Sequence, residues 1–190
     1  MKDDVSYSAG VACIWFKDNE SRLLLILQKA GEKNLQKTGG VFVEDRIWKM
    51  PMGHFDPQKD GGLAATAHRE FEEESGLTFD EHLIDLGLSV SIRIPSDRPG
   101  APQFHEDCFF LVVTEADLKP AANAARDEAI EKTKFFSLNK LPDGKTAESE
   151  GAALSWGHRK KLIKLLVACG ENPRGKEIVE NLLNGLGGKK

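Results

Sequence analysis

Apolar residues gather in two stretches near the start of the chain, 7 to 16 (YSAGVACIWF) and 22 to 28 (RLLLILQ), and the residues between them, Lys17 to Ser21, are all polar. Aliphatic and β-branched runs set apart by such a break predict two strands joined by a hairpin, the second near the centre of a sheet. From Gly31 to Arg46 the text turns polar around Gly39-Gly40, which leaves either a mobile loop or an added hairpin through Val41-Phe42-Val43. The period then changes. Leu63, Ala64, Ala67 and Phe71 recur at helical spacing, so residues 63 to 75 are expected as a helix lying on a core, with Gly76 as its left-handed C-terminal cap. Residues 85 to 94 and 103 to 114 read as strands around a rigid loop containing Pro95, Pro99, Gly100 and Pro102. The second of these turns apolar on both faces toward its end, as a covered central strand does. Residues 115 to 131 are Ala-rich and weakly patterned, and two helices are expected at 155 to 169 and 173 to 184. Leu162, Leu165, Leu166 and Cys169 make the stripe of the first, and Pro173 suits the first turn of the second. Residues 185 to 190 are expected to fray.

The helix at 63 to 75 carries the chemistry. At 100° per residue Glu70, Glu73 and Glu74 share an arc beside the apolar stripe, and Glu72 points away. They lie where the macrodipole is negative, so each costs roughly 0.3 to 1 kcal/mol and each like-charge pair a further 0.2 to 0.5 or so. A divalent ion such as Mg²⁺ or Mn²⁺, which takes carboxylate, carbonyl and water oxygens, would remove that conflict. A solvated acidic face is the other reading, because Glu is a good helix former.

The segment Arg69-Glu70-Phe71-Glu72-Glu73-Glu74-Ser75-Gly76-Leu77, entered through Trp48-Lys49-Met50-Pro51-Met52-Gly53-His54, resembles the signature of the Nudix hydrolases. The resemblance implies a single α/β/α sandwich on a mixed sheet: a Nudix hydrolase domain over residues 1 to 150, and over 151 to 190 an extension of additional C-terminal helices packed on the same domain. It also implies a role for each matching position. Gly53 offers a carbonyl to metal, Glu70, Glu73 and Glu74 hold Mg²⁺ (Mn²⁺ being the alternative), and Arg69 orients a glutamate. Glu131, with Glu128 behind it and Glu106 as a further choice, is the candidate for the extra carboxylate that assists water. Glu106 or Asp107, at the open end of its strand, could also face the metal. Lys49 reads equally as a phosphate contact and as an ordinary strand lysine. The chain departs from the family pattern at Gly61, where a glutamate is usual; the nearest acid is Asp60, expected to cap the helix instead. The path from Gly53 to Arg69 is also two residues longer than usual.

Composition narrows the partners. A formal charge of -4 and a pI near 5.8 argue against indiscriminate nucleic-acid binding and leave a small nucleotide-type substrate compatible. No apolar run approaches a membrane span or a signal peptide, and Cys13, Cys108 and Cys169 read as reduced core thiols, so a cytoplasmic home is expected. The function implied is Mg²⁺-dependent hydrolysis, by activated water, of a phosphoric anhydride in a nucleoside diphosphate linked to another moiety. The rival is a catalytically weak or inactive nucleotide-binding sensor on the same fold. A third possibility is a metal-stabilised domain without a nucleotide.

Overall fold

Alternation along the first two strands sets up a sheet with two apolar faces, and a helix covers each. The structure, a computed structural model, describes residues 5–17, 20–35, 40–84, 89–94, 103–122, 127–173 and 176. Strands β1 (Val5–Lys17) and β2 (Glu20–Gln28) form the expected hairpin. The polar passage after them takes the hairpin alternative, β3 (Gly31–Leu35) against β4 (Gly40–Glu44). Two short strands follow, β5 (Ile47–Lys49) and β6 (Met52–His54), and then helix α1 (Leu63–Ser75). Beyond it come β7 (Leu77–Thr78), β8 (Ser89–Ile94), β9 (Gln103–Val113), β10 (Lys119–Pro120), β11 (Ile130–Ser137) and α2 (Trp156–Glu171). Most of the helix expected at 173 to 184 lies outside the described residues, as do residues 85 to 88 of the first predicted later strand and the loop at 95 to 102.

The main sheet runs β11-β2-β1-β9-β8, with β5 on β2 and β6 on β1. It is mixed, because β1 and β9 pair in parallel while the other pairs are antiparallel. Successive side chains point to opposite faces. Ala9, Val11, Cys13, Leu24, Ile26, Phe109 and Leu111 therefore meet Ala67 and Phe71 of α1. Ala12, Ile14, Leu23, Leu25, Leu27, Cys108 and Phe110 meet Leu162, Leu165 and Cys169 of α2. All three cysteines are free and buried, in keeping with core thiols. Burial alone pushes the Cys13 thiol far up, and it lifts Cys108 to about 12.

The functional part of the fold is a strap. β1 and β2 pair only from Ile14 to Lys17, and toward their other ends they separate. Residues 47 to 54 enter that gap: β5 pairs with β2 at Ile26 to Gln28, β6 pairs with β1 at Ser8 to Gly10, and Val11 N donates to Pro51 O at 3.1 Å. Gly10 makes the insertion possible. A Cβ there would overlap Pro51 O and stand 2.6 Å from Met52 Cβ. Trp48 fixes the strap's other end, fully buried, with Nε1 donating to Ser149 O at 2.9 Å and its ring edge-on to Phe136.

Helix α1 begins at Gly62, with no side-chain cap, and ends at Gly76 in the left-handed region at φ 72°. Both ends agree with the sequence reading of 63 to 75; the expected Asp60 cap does not form, because Asp60 is engaged elsewhere. Among the described residues no helix is long and apolar enough to cross a membrane. Gly10→Ala forces the strap away from β1 and should cost about 1 to 3 kcal/mol by overpacking, read as a lower urea midpoint at unchanged slope.

Candidate metal and phosphate site

The strap brings Gly53 beneath the acidic face of α1. A Cβ on Gly53 would fall inside the Glu70 carboxylate, so glycine at this position is a steric requirement of the site. Helical spacing then sets Glu73 and Glu74 one turn beyond Glu70.

A protein cation meets each acid. Arg69 Nη1 donates to Glu70 Oε1 at 2.7 Å and to Glu73 Oε2 at 2.9 Å, and Nη2 donates to His54 O at 2.9 Å. The rest of the guanidinium belongs to Asp60: Nε donates to Oδ1 at 2.8 Å and Nη2 to Oδ2 at 2.9 Å. Asp60 Oδ2 also accepts from Thr66 Oγ1 and from the Asp56 amide. Asp60 is thus a clamp on Arg69 from the loop, which is why it does not cap the helix. Arg69 holds the Asp60 carboxyl down at about 2, and Asp60 in turn raises Arg69.

Glu74 lies deeper. Only 4% exposed, it accepts from Lys49 Nζ at 2.7 Å through Oε1 and from the Met52 amide at 2.8 Å through Oε2. Burial nevertheless outweighs both partners and pushes its carboxyl up to about 7. Burial also raises Glu70, against the opposing pull of Arg69. The ammonium of Lys49 therefore sits on Glu74, facing α1.

The segment that carries Glu128 and Glu131 runs against the end of α1, where Asp127 N donates to Glu73 O at 3.1 Å and Thr133 Oγ1 to Ser75 O at 2.9 Å. Glu131 on β11 is gripped by Arg46 through Nε at 2.9 Å and Nη2 at 2.7 Å, a fork that depresses its carboxyl. Glu150 joins the same cluster, reached by Lys132. At Glu128 the recorded contact is with the backbone, whose carbonyl accepts from Lys29 Nζ. Glu106 points to the α2 face and pairs with Lys161 at 2.6 Å. Its neighbour Asp107 shares the α1 face with Gly53, two strands over, in the row Gly53, Ala9, Asp107, and accepts from Ser91 Oγ.

Among the described residues no three His, Cys, Asp or Glu side chains are already gathered as a metal ligand set. The donor chemistry still suits a hard divalent ion. Gly53, Glu70, Glu73 and Glu74 all present oxygen, and the Glu70 carboxylate lies directly against Gly53, where a Cβ would overlap it. Arg69 takes one oxygen of Glu70 and one of Glu73, so a cation would draw on the other oxygen of each.

Sequence reading missed the Asp60 clamp and both long-range lysine pairs. The only local hint to Asp60 was an acid nine residues before an arginine on an acidic helix, and its partner depends on how the loop folds back. Asp60→Asn should lower stability by about 3 kcal/mol at neutral pH, because it leaves a partly buried guanidinium underpaired. Since Asp60 titrates at about 2 when folded and near 3.8 in its ordinary state, its contribution is present above pH 4 or so and is lost as pH falls toward 2. Denaturant melts across that range should show this loss in the wild type and not in the variant.

The NUDIX domain profile matches residues 6–156. A MutT/nudix family protein from Enterococcus faecalis superposes with a TM-score of 0.65 at 16% identity, covering 100% of this chain and 76% of that one. The NUDIX domain of Shewanella oneidensis NrtR, complexed with ADP ribose, gives 0.54 at 16% identity and 87% of each chain. A bifunctional NMN adenylyltransferase/ADP ribose pyrophosphatase from Francisella tularensis, complexed with AMP and a Mn ion, gives 0.52 at 17% identity, covering 87% of this chain and 42% of that one. Curated proteins give no match. At such identities the solved structures speak for the fold, and the profile, spanning the strap, the acidic helix and the whole main sheet, carries the assignment: the chain belongs to the NUDIX family.

Proposed function

We propose that this chain is a divalent-cation-dependent hydrolase that cleaves a phosphoric anhydride in a nucleoside diphosphate linked to another moiety. The observation that carries the reading is the arc of Glu70, Glu73 and Glu74 held over Gly53, with Arg69 fixing two of the three carboxylates. Anionic phosphate oxygens repel a nucleophile, so attack by water needs positive charge on them and a carboxylate beside the water. Mg²⁺, held by Gly53 O, Glu70, Glu73 and Glu74, would supply that charge, with Mn²⁺ as the alternative ion.

The chain's own residues do the rest. Arg69, locked by Asp60, keeps Glu70 and Glu73 in register with each other. Glu70 rests against Gly53 with one oxygen on Arg69, which leaves its other oxygen for the cation. Glu131, depressed by its Arg46 fork, is a weaker base while that fork holds. Lys49 keeps Glu74 fixed to the strap through one of its three ammonium donors, which leaves donors for a phosphate contact.

The nucleotide class draws support from the ADP ribose and AMP complexes of proteins with this fold. A second reading, a nucleotide-binding sensor without turnover, is favoured by one fact: Arg69 and Lys49 are both committed to ion pairs with the acids. Nucleotide binding with no turnover at any divalent metal would select it. Replacing Glu73 and Glu74 together by Gln should lower Mg²⁺-dependent phosphate release about 10³-fold or more across NTPs, dinucleoside polyphosphates, ADP-ribose, NADH and capped RNA. Undiminished turnover in that variant would overturn the hydrolase reading.

A further inference from the structure

The three acids of the arc are not held alike. Arg69 takes one oxygen of Glu70, Oε1 at 2.7 Å, and one oxygen of Glu73, Oε2 at 2.9 Å. Glu74 has a donor on each oxygen: Lys49 Nζ lies 2.7 Å from Oε1 and the Met52 amide 2.8 Å from Oε2. Both side chains of the Lys49–Glu74 pair are largely buried, 15% and 5% exposed. One of the acids expected to meet a divalent ion thus has a cation of the protein's own against it.

That cation is anchored. Lys49 ends β5, where it pairs with Ile26 of β2. Just beyond it the strap crosses from β2 to β1 at Pro51, which has no amide hydrogen to give. The amides on either side of that proline are taken by side chains of the two helices: Met50 N donates to His158 Nδ1 of α2 at 3.2 Å, and Met52 N donates to Glu74 of α1. Met52 Sδ also lies 3.3 Å from Lys161 Nζ, so α2 holds the strap from behind. A buried ammonium needs an acid partner. Lys49 touches Glu74, and its charge also bears on Glu70.

An ammonium and a divalent ion cannot both rest on Glu74 Oε1 without repelling each other over a few ångströms, in surroundings where water screens little. Glu70 and Glu73 differ, because each keeps one oxygen outside the grip of Arg69. Charge points the same way. With Glu70, Glu73, Glu74 and Asp60 all ionised, four carboxylates face the two cations Arg69 and Lys49. One divalent ion closes that difference, and a second would reverse it before a substrate brings charge of its own. We propose that Lys49 is a resident cation at Glu74 that takes the place of a divalent ion there, so that the chain without substrate holds a single ion, on Glu70, Glu73 and the Gly53 carbonyl. The assignment rests on the metal-dependent reading above and narrows its ligand set: while Lys49 is in place, Glu74 acts through the ammonium.

The test is Mn²⁺ binding by the full chain without nucleotide, read as loss of the free-ion signal in electron paramagnetic resonance. The proteins compared are the wild type, Lys49→Met, Lys49→Arg and the double variant Lys49→Met/Glu74→Gln. The wild type is expected to bind one ion. Lys49→Met, which frees Glu74, should bind a second ion or bind the first more tightly by about tenfold or more. Lys49→Arg keeps the charge and should match the wild type, and the double variant should lose the gain. A lysine that only braced the strap would weaken Mn²⁺ binding when removed, not strengthen it. Should Lys49→Met fail to fold, Lys49→Gln carries the same expectation, since its amide can still donate to Glu74. Two ions on the wild type, or unchanged or weaker Mn²⁺ binding once the lysine charge is gone, overturns the proposal. Absence of wild-type turnover on the anhydride panel, with the Mn²⁺ difference intact, would instead count against the hydrolase reading alone.

Discussion

Arg69 stands at the centre of the site because one planar guanidinium is asked to satisfy two elements at once. Its fork fits the two oxygens of Asp60 on the loop, and the remaining donors reach Glu70, Glu73 and the His54 carbonyl. Without that cation the last turns of α1 would place like charges together at the negative end of a helix dipole, an arrangement that water alone supports poorly. A lysine could not replace it, since a point charge offers no planar fork. The loop and the helix are thereby joined by a contact between side chains nine residues apart, and the acids acquire a defined geometry.

The strap gives the site its second dimension. Residues 47 to 54 enter between β1 and β2 only because Gly10 leaves room, and Gly53 can lie under Glu70 only because it has no side chain. Met52 then bonds the α1 side through its amide and the α2 side through its sulfur. Two polar pairs, Lys49 with Glu74 and Lys161 with Glu106, are buried back to back across this short segment. Buried ion pairs of this kind contribute little net stability. By contrast, the cluster of Arg46, Glu131, Glu150 and Lys132 is more exposed and works as a surface tie between β11 and the following loop.

Periodicity fixed much of the architecture in advance. The β1–β2 hairpin, the acidic helix with its Gly76 cap and the apolar stripe of α2 follow from local spacing, because burial on one face imposes a period of two or 3.6 on the chain itself. The acid arc was equally legible, since helical geometry sets the angles between Glu70, Glu73 and Glu74. The cysteines read as buried thiols and are so. What the sequence determined is therefore everything governed by neighbours within a turn or two.

Only the tertiary structure decided which charges meet. Asp60 looked like a helix cap and became the clamp on Arg69; Glu131 looked like a base and is held by Arg46; Lys49 lies on Glu74 rather than in the open. Lys161 is buried against Glu106, 55 positions away. A long charged side chain has no period that reveals its partner, because its reach spans several backbone positions and its choice depends on which strands and loops the fold lays beside it. Spacing along the chain can place a carboxylate on a face, but only the packing of that face supplies the cation.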